Sequence, residues 1–156
     1  MPPFICMKEF TEKYGFTKYA ELSLDESGTG VAAIPNDTKY NVIYAIFIDE
    51  DLVYIGKTKN LKKRINYYRT SMNRLDNHSD KTKSLAIFNA LKENKKVCFY
   101  SRQCFNLSMT NELGTMSVCT TDLEEPMFIK LFNPPWNTQH KRAGNATVIL
   151  KPNESL

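Results

Sequence analysis

Three stretches of the chain combine residue types that can act on a phosphodiester. The first runs from Lys57 to Arg74. It places Lys57, Lys59, Lys62, Lys63, Arg64, Arg69 and Arg74 within eighteen residues that hold no carboxylate. Clustered cations are the electrostatic footprint of phosphate binding, although a basic helix standing alone is more often a solvated face. The second stretch pairs Val42-Ile43-Tyr44 with Tyr54-Ile55-Gly56, ten residues further on. It puts phenols near a glycine that lets the backbone come close to another group, with Arg64 just beyond. A tyrosine pair alone would be core packing. The third stretch joins the carboxylates of Glu124 and Glu125 to the amide of Asn137. By itself it reads as a helix cap and a surface loop.

The charge is concentrated. Lys and Arg total 21 and Asp and Glu total 17 in 156 residues, a net charge of +4. With seven cations between Lys57 and Arg74, the remainder sums to about −3. Such a chain is near the average of a globular domain. The longest unbroken apolar run, Val42 to Ile48, has seven residues, whereas a membrane span needs about 20. Residues 1–10 lack a basic start, a long apolar stretch and a small-residue cleavage site, so no secretion signal is expected. Cys6, Cys98, Cys104 and Cys119 form no CxxC pair, and His78 and His140 complete no zinc set. The cysteines are expected as reduced thiols in a cytoplasmic protein.

The elements that must position these residues follow from periodicity and punctuation. Residues 7–20 read as a weak helix and residues 21–34 as two short strands around Asp25-Glu26-Ser27-Gly28. Lys39 to Ile48 and Leu52 to Gly56 are aromatic and β-branched, joined by an acidic turn, and predict a β-hairpin. Their nearly continuous apolar character predicts coverage on both faces. Leu61, Ile65 and Tyr68 predict a helix from Lys59 to about Met72. A second helix is predicted from Asp80, its cap, to about Glu93, with Leu85, Phe88 and Leu91 on one side. Lys96 to Gln103 reads as a strand, 104–114 as a turn and Thr115 to Cys119 as a short strand. A last helix should run from Thr121 to Phe132, with a Thr121–Glu124 capping box, ended by Asn133-Pro134-Pro135. Residues 138–156 read as a tail, with a short strand at Val148 to Leu150.

Taken together, the three stretches resemble the GIY-YIG nuclease family. Val42-Ile43-Tyr44 stands in the GIY place and Tyr54-Ile55-Gly56 in the YIG place. The family arginine, eight residues after the YIG glycine, falls on Arg64, and a further tyrosine or histidine falls on Tyr68. The family pattern of glutamate, Ile-Lys, proline and asparagine falls on Glu125, Ile129-Lys130, Pro134 and Asn137. Val42 in place of glycine is a departure. The resemblance is closest to phage members of the family, over KYNVIYAI, LVYIGKTKNLKKRINYYRT, RQCFNLSMTNELGTM and FIKLFNPPWN. It implies an α+β fold, a small domain with a central, mostly antiparallel sheet flanked by helices. The organisation implied is a helix/hairpin appendage over 1–38, in reach of DNA, a catalytic domain over 39–137 and a C-terminal tail over 138–156.

The resemblance also implies a metal-dependent endonuclease that nicks or cuts host cytosine-containing DNA during phage infection. One Mg²⁺ per site is implied, with Mn²⁺ able to substitute and Glu125 as the protein carboxylate. Glu124, at the capping-box spacing, is the competing carboxylate. Tyr44 is the first choice of general base, with Tyr54 or Tyr68 as helper. Arg64 would bind the phosphate, and Asn137 would orient Glu125 or a neighbour. Lys83 and Lys18 are further candidates for DNA contact, beside Lys57, Lys59, Lys62, Lys63, Arg69 and Arg74. The expected partners are double-stranded DNA and copies of the chain, as dimer or tetramer, with no membrane and no small-molecule cofactor. Two other readings stay open: a homing or repair-type nuclease of the same family, and a non-catalytic DNA-binding module.

Overall fold

The computed structural model describes residues 5–71 and 79–138. Arg74, the two histidines and the possible strand at Val148 to Leu150 lie outside them.

A four-stranded antiparallel sheet forms the centre. Its strands are β1 (Thr17–Leu22), β2 (Tyr40–Ile48), β3 (Asp51–Asn60) and β4 (Val97–Gln103), in the order β1-β4-β2-β3. β2 lies inside this sheet and is buried on both faces, which explains its nearly continuous apolar sequence. One face packs Val42, Tyr44, Ile46 and Phe99 against α2 (Leu61–Ser71) and α3 (Ser79–Lys92). The other packs Ile43, Ala45, Phe47 and Ile55 against α1 (Met7–Glu12) and α4 (Thr121–Phe132). A separate hairpin, β5 (Asn106–Asn111) with β6 (Gly114–Cys119), completes the fold. Among the described residues no helix is long and apolar enough to cross a membrane.

The expected β2–β3 hairpin, β4 and α4 are present. Asn133 adopts the left-handed conformation at the end of α4, and its N–H donates to the Ile129 carbonyl. Elsewhere local signals lose to tertiary pairing. The N-terminal helix stops at Glu12, because Gly15 turns left-handed (φ 72°) and releases Thr17–Leu22 to pair with β4. Of the two strands expected over 21–34, a single Leu24–Val31 bridge forms. β3 runs on to Asn60, so α2 begins at Leu61 and Lys59 belongs to a strand. α3 begins at Ser79, so Asp80 lies within it. Ile87, Ala90 and Leu91 are its buried apolar residues, beside buried Ser84, while Leu85 faces outward. The supposed turn at 104–114 contains β5.

α2 is held at its start by side chains from outside it. The Thr38 hydroxyl accepts from the Lys62 N–H at 3.0 Å, and the Asn60 amide oxygen accepts from the Lys63 N–H at 3.2 Å. Two of the donors that open a helix are thereby satisfied.

Candidate active site

Tyr44 sits at the centre of the site. It pairs with Gly56 on one side and Ser101 on the other, and its ring is buried. A Cβ on Gly56 would stand 2.6 Å from Tyr44 Cζ and 2.7 Å from its phenol oxygen. Phe99 backs the ring, with centroids 6.1 Å apart and 27° between planes. The tyrosine therefore cannot retreat, and Gly56 is required for space. The Tyr44 and Tyr68 phenols share a hydrogen bond of 2.9 Å. The Tyr54 ring lies 6.0 Å from that of Tyr44, and Lys83 Nζ stands 4.6 Å from the Tyr54 ring centre. The Arg64 charge acts on the Tyr44 phenol as well.

Burial first, then the neighbouring Tyr68 and Tyr54, push the Tyr44 phenol well above its usual value; Arg64 acts in the opposite direction. Tyr44 holds its proton in this state. A buried phenol can become a base only when charge arrives beside it.

The other half of the site approaches from the opposite face, around the β3 edge. Ile55 faces the α4 side, and Lys57, two residues on, shares that side. Lys57 Nζ pairs with an Asp122 carboxylate oxygen at 2.7 Å, and the Glu125 charge also acts on it. Glu124 points elsewhere. Its carboxylate accepts from Arg102 Nε at 2.9 Å and from Nη2. Burial works to raise the Glu124 carboxyl, but hydrogen bonding with Thr120 and Arg102 prevails and holds it below the usual range. The capping box expected from Thr121 is absent in that register: Thr120 is the cap residue and makes no side-chain cap bond. The two neighbouring glutamates are therefore separated by their partners, with Glu125 on the Lys57 side.

Asn137 is buried and braces β3. Its Oδ1 accepts from the Ile55 N–H at 2.9 Å and its Nδ2 donates to the Ile55 carbonyl at 2.8 Å. The amide is thus committed to the strand that carries Gly56.

The basic stretch divides by use. Lys59 and Lys63 are exposed. Lys62 Nζ donates to the Asn36 carbonyl, and Arg69 donates through Nε and Nη2 to Val31 and through Nη1 to Asn66. These two hold the 23–38 segment against α2. Lys18 pairs with Glu21 at 2.8 Å on β1, the sheet edge remote from β3. Sequence reasoning missed Thr38, Asn60, Asp122 and Arg102. Asn60, directly before the first apolar residue of α2, carried a readable cap signal; Arg102 had none.

The half-buried Glu125 carboxylate, close enough to Lys57 to act on its charge, suits a hydrated Mg²⁺, which keeps several waters and takes one or two carboxylates plus phosphate oxygens. It would not suit a cation that needs an all-protein cage, since no cluster of three His, Cys, Asp or Glu occurs among the described residues.

Residues 40–139 match the GIY-YIG catalytic domain. The chain belongs to the GIY-YIG family. It is 68% identical over 137 residues to Endonuclease II of Enterobacteria phage T4, covering 87% of this chain and 99% of that protein. The solved structure of a glutamate-to-alanine variant of bacteriophage T4 EndoII superposes with a TM-score of 0.78 at 66% identity, covering 84% and 98% of the two chains. Restriction endonuclease Hpy188I, solved with product DNA, shares the fold with a TM-score of 0.51 at 22% identity, over 83% and 82% of the chains.

Proposed function

We propose that the protein is a metal-dependent DNA endonuclease that hydrolyses phosphodiester bonds at the Gly56 edge of β3. The observation that supports this is the Tyr44–Tyr68 phenol pair, with the Arg64 charge acting on it and Lys83 over the neighbouring Tyr54; the Glu125 charge acting on Lys57 of β3 supports the carboxylate half. Family membership supplies the reaction class. The substrate is host cytosine-containing DNA in the host cytoplasm during phage infection, a reading supported by the likeness to the T4 enzyme.

Arg64 binds the scissile phosphate, with forked geometry that a lysine cannot copy. Glu125 would hold one Mg²⁺, or Mn²⁺ in its place, whose chemistry is Lewis-acid stabilisation of the leaving oxygen. Tyr44 serves as base only as the phenolate, formed when its proton is released to solvent as cationic charge gathers beside it; the phenolate then takes the proton of the attacking water while the Tyr68 O–H donates to it. Tyr54 lies tilted beside Tyr44 and keeps Lys83 over its face. Gly56 leaves room for the Tyr44 ring against β3. Asn137 keeps β3 in register. Lys57, Lys59 and Lys63 meet flanking phosphates; Lys62 and Arg69 contribute through long-range charge while holding the 23–38 segment. Lys18 and Arg74 would extend the DNA path.

Homo-oligomer formation is supported by the β5–β6 hairpin. Leu107, Met109, Met116 and Val118 are exposed along it and Leu113 is 85% exposed at its tip. A contiguous apolar surface of this kind marks a protein contact. A second copy would bring the second active site that a double-strand break needs.

Incubation with supercoiled plasmid tests the reading. Relaxation and linearisation are expected with Mg²⁺ and not with EDTA. Intact plasmid in both would overturn it.

A further inference from the structure

Glu125 follows directly on the first turn of α4, whose own wiring is thin. Pro126 has no N–H to offer the Asp122 carbonyl. Thr120 makes no side-chain cap bond; its carbonyl accepts from Leu123 N–H at 3.1 Å and Glu124 N–H at 2.8 Å, while its hydroxyl accepts from Phe105 N–H at 3.0 Å and bonds the Glu124 carboxylate. Two ion pairs flank this turn from opposite sides, Lys57 on Asp122 and Arg102 on Glu124.

The Arg102 pair is the more constrained. The Lys57 and Asp122 side chains are 46% and 58% exposed, while those of Arg102 and Glu124 are 29% and 22% exposed. An exposed pair contributes little. Arg102 is also anchored three ways. Its backbone pairs with Ile43, beside Tyr44, in the middle of the sheet. Its Nη1 donates to the Tyr14 carbonyl at 2.8 Å, and its guanidinium lies 5.3 Å from the centre of the Phe128 ring on α4. Successive helical residues are set about 100° apart. Fixing Glu124 therefore fixes the direction in which Glu125 projects.

We propose that Arg102 and Glu124 form a positioning clamp that sets the rotation of the first turn of α4 and so aims Glu125 at the Gly56 edge of the sheet. This rests on the reading of Glu125 as the metal-holding carboxylate. Arg102 and Glu124 act through Glu125 and need not touch the substrate.

The test compares the full chain with Arg102→Met, Glu124→Gln and Glu125→Ala. For each, the Mg²⁺ concentration for half-maximal plasmid nicking is measured well below the melting temperature. Mn²⁺ binding to the DNA-free protein is followed by electron paramagnetic resonance, and DNA binding is measured in EDTA. The clamp predicts that Arg102→Met and Glu124→Gln each raise the Mg²⁺ requirement and weaken Mn²⁺ binding by about tenfold, as loss of a residue supporting a metal ligand does. DNA binding in EDTA should stay at the parental level. A lowered melting temperature with parental Mg²⁺ and Mn²⁺ dependence would overturn the clamp and leave an ordinary structural pair. Glu124→Gln keeps the side-chain size and carries the test if Arg102→Met does not fold. Glu125→Ala separates the two claims. If it nicks like the parent, the underlying reading fails; if it is inactive while the clamp variants keep parental metal dependence, only the clamp fails.

Discussion

At the residue scale the site leaves little clearance around Tyr44. Gly56 faces a ring that cannot move, so Gly56→Ala must push Tyr44 or the β3 backbone aside. We expect it to cost about 1–3 kcal/mol of stability, the usual range for overpacking, and to abolish nicking. A urea titration beside a plasmid assay checks both. Tyr44 gives a pH prediction. Its folded-state value lies well above the ordinary 10.0, so the native state keeps a proton that the unfolded chain gives up near pH 10. The stability this contributes is fully present below about pH 10 and is lost as pH rises through the folded value. Tyr44→Phe has no proton to lose, so its stability should fall less than the parent's over that alkaline range in circular-dichroism melts. It should also lose nicking activity if the phenol is the base.

The proposed site residues were picked out by likeness to the family motif, which gave no sign of their partners. That Tyr44 lies opposite Gly56 is a matter of strand register, which the motif does not state. The separation of Glu124 from Glu125 was legible as a spacing conflict. The partner of Glu124 was not, because Arg102 lies 22 residues earlier on another element.

At the scale of elements, the strongest apolar patterns held. β2, β3 and α4 were legible because their burial is encoded continuously. β1 was hidden because a glycine with left-handed φ ends the helix that the preceding residues favour. β5 was hidden because its residues face no core, so alternation carries no burial signal. The role of Asn137 could not be read either, since its partner is backbone 82 residues away. Asn137→Ala would leave the Ile55 N–H and carbonyl without these bonds in a buried place. A loss of about 1–3 kcal/mol is expected for such orphaned groups, together with reduced nicking; Asn137→Asp should restore the acceptor alone and recover part of the stability. Denaturant midpoints of the three proteins decide this.

At the scale of the molecule, charge and apolar surface lie on different features. The cations follow β3 and α2, where Lys59 and Lys63 are exposed, and the apolar residues follow the β5–β6 hairpin. DNA binding should weaken steeply with salt, because phosphate contacts release counterions. Lys59→Gln and Lys63→Gln should each reduce the log–log salt slope by about one. A slope unchanged in both would remove these lysines from the interface. On the hairpin, Leu107→Lys with Met109→Lys should shift sedimentation toward the monomer while leaving the melting temperature of the sheet nearly unchanged. Retention of the parental sedimentation coefficient would remove the hairpin from the contact.

The central claim is that Glu125, and not its neighbour Glu124, supplies the carboxylate for cleavage at the Gly56 edge. Single-turnover nicking of supercoiled plasmid at saturating Mg²⁺, with DNA binding in EDTA measured on the same preparations, tests it most directly. The prediction is that Glu125→Ala binds DNA like the parent but does not nick, whereas Glu124→Gln still nicks once Mg²⁺ is raised. Nicking by Glu125→Ala at the parental rate, or its retention there with complete loss in Glu124→Gln at any Mg²⁺ concentration, would contradict the account.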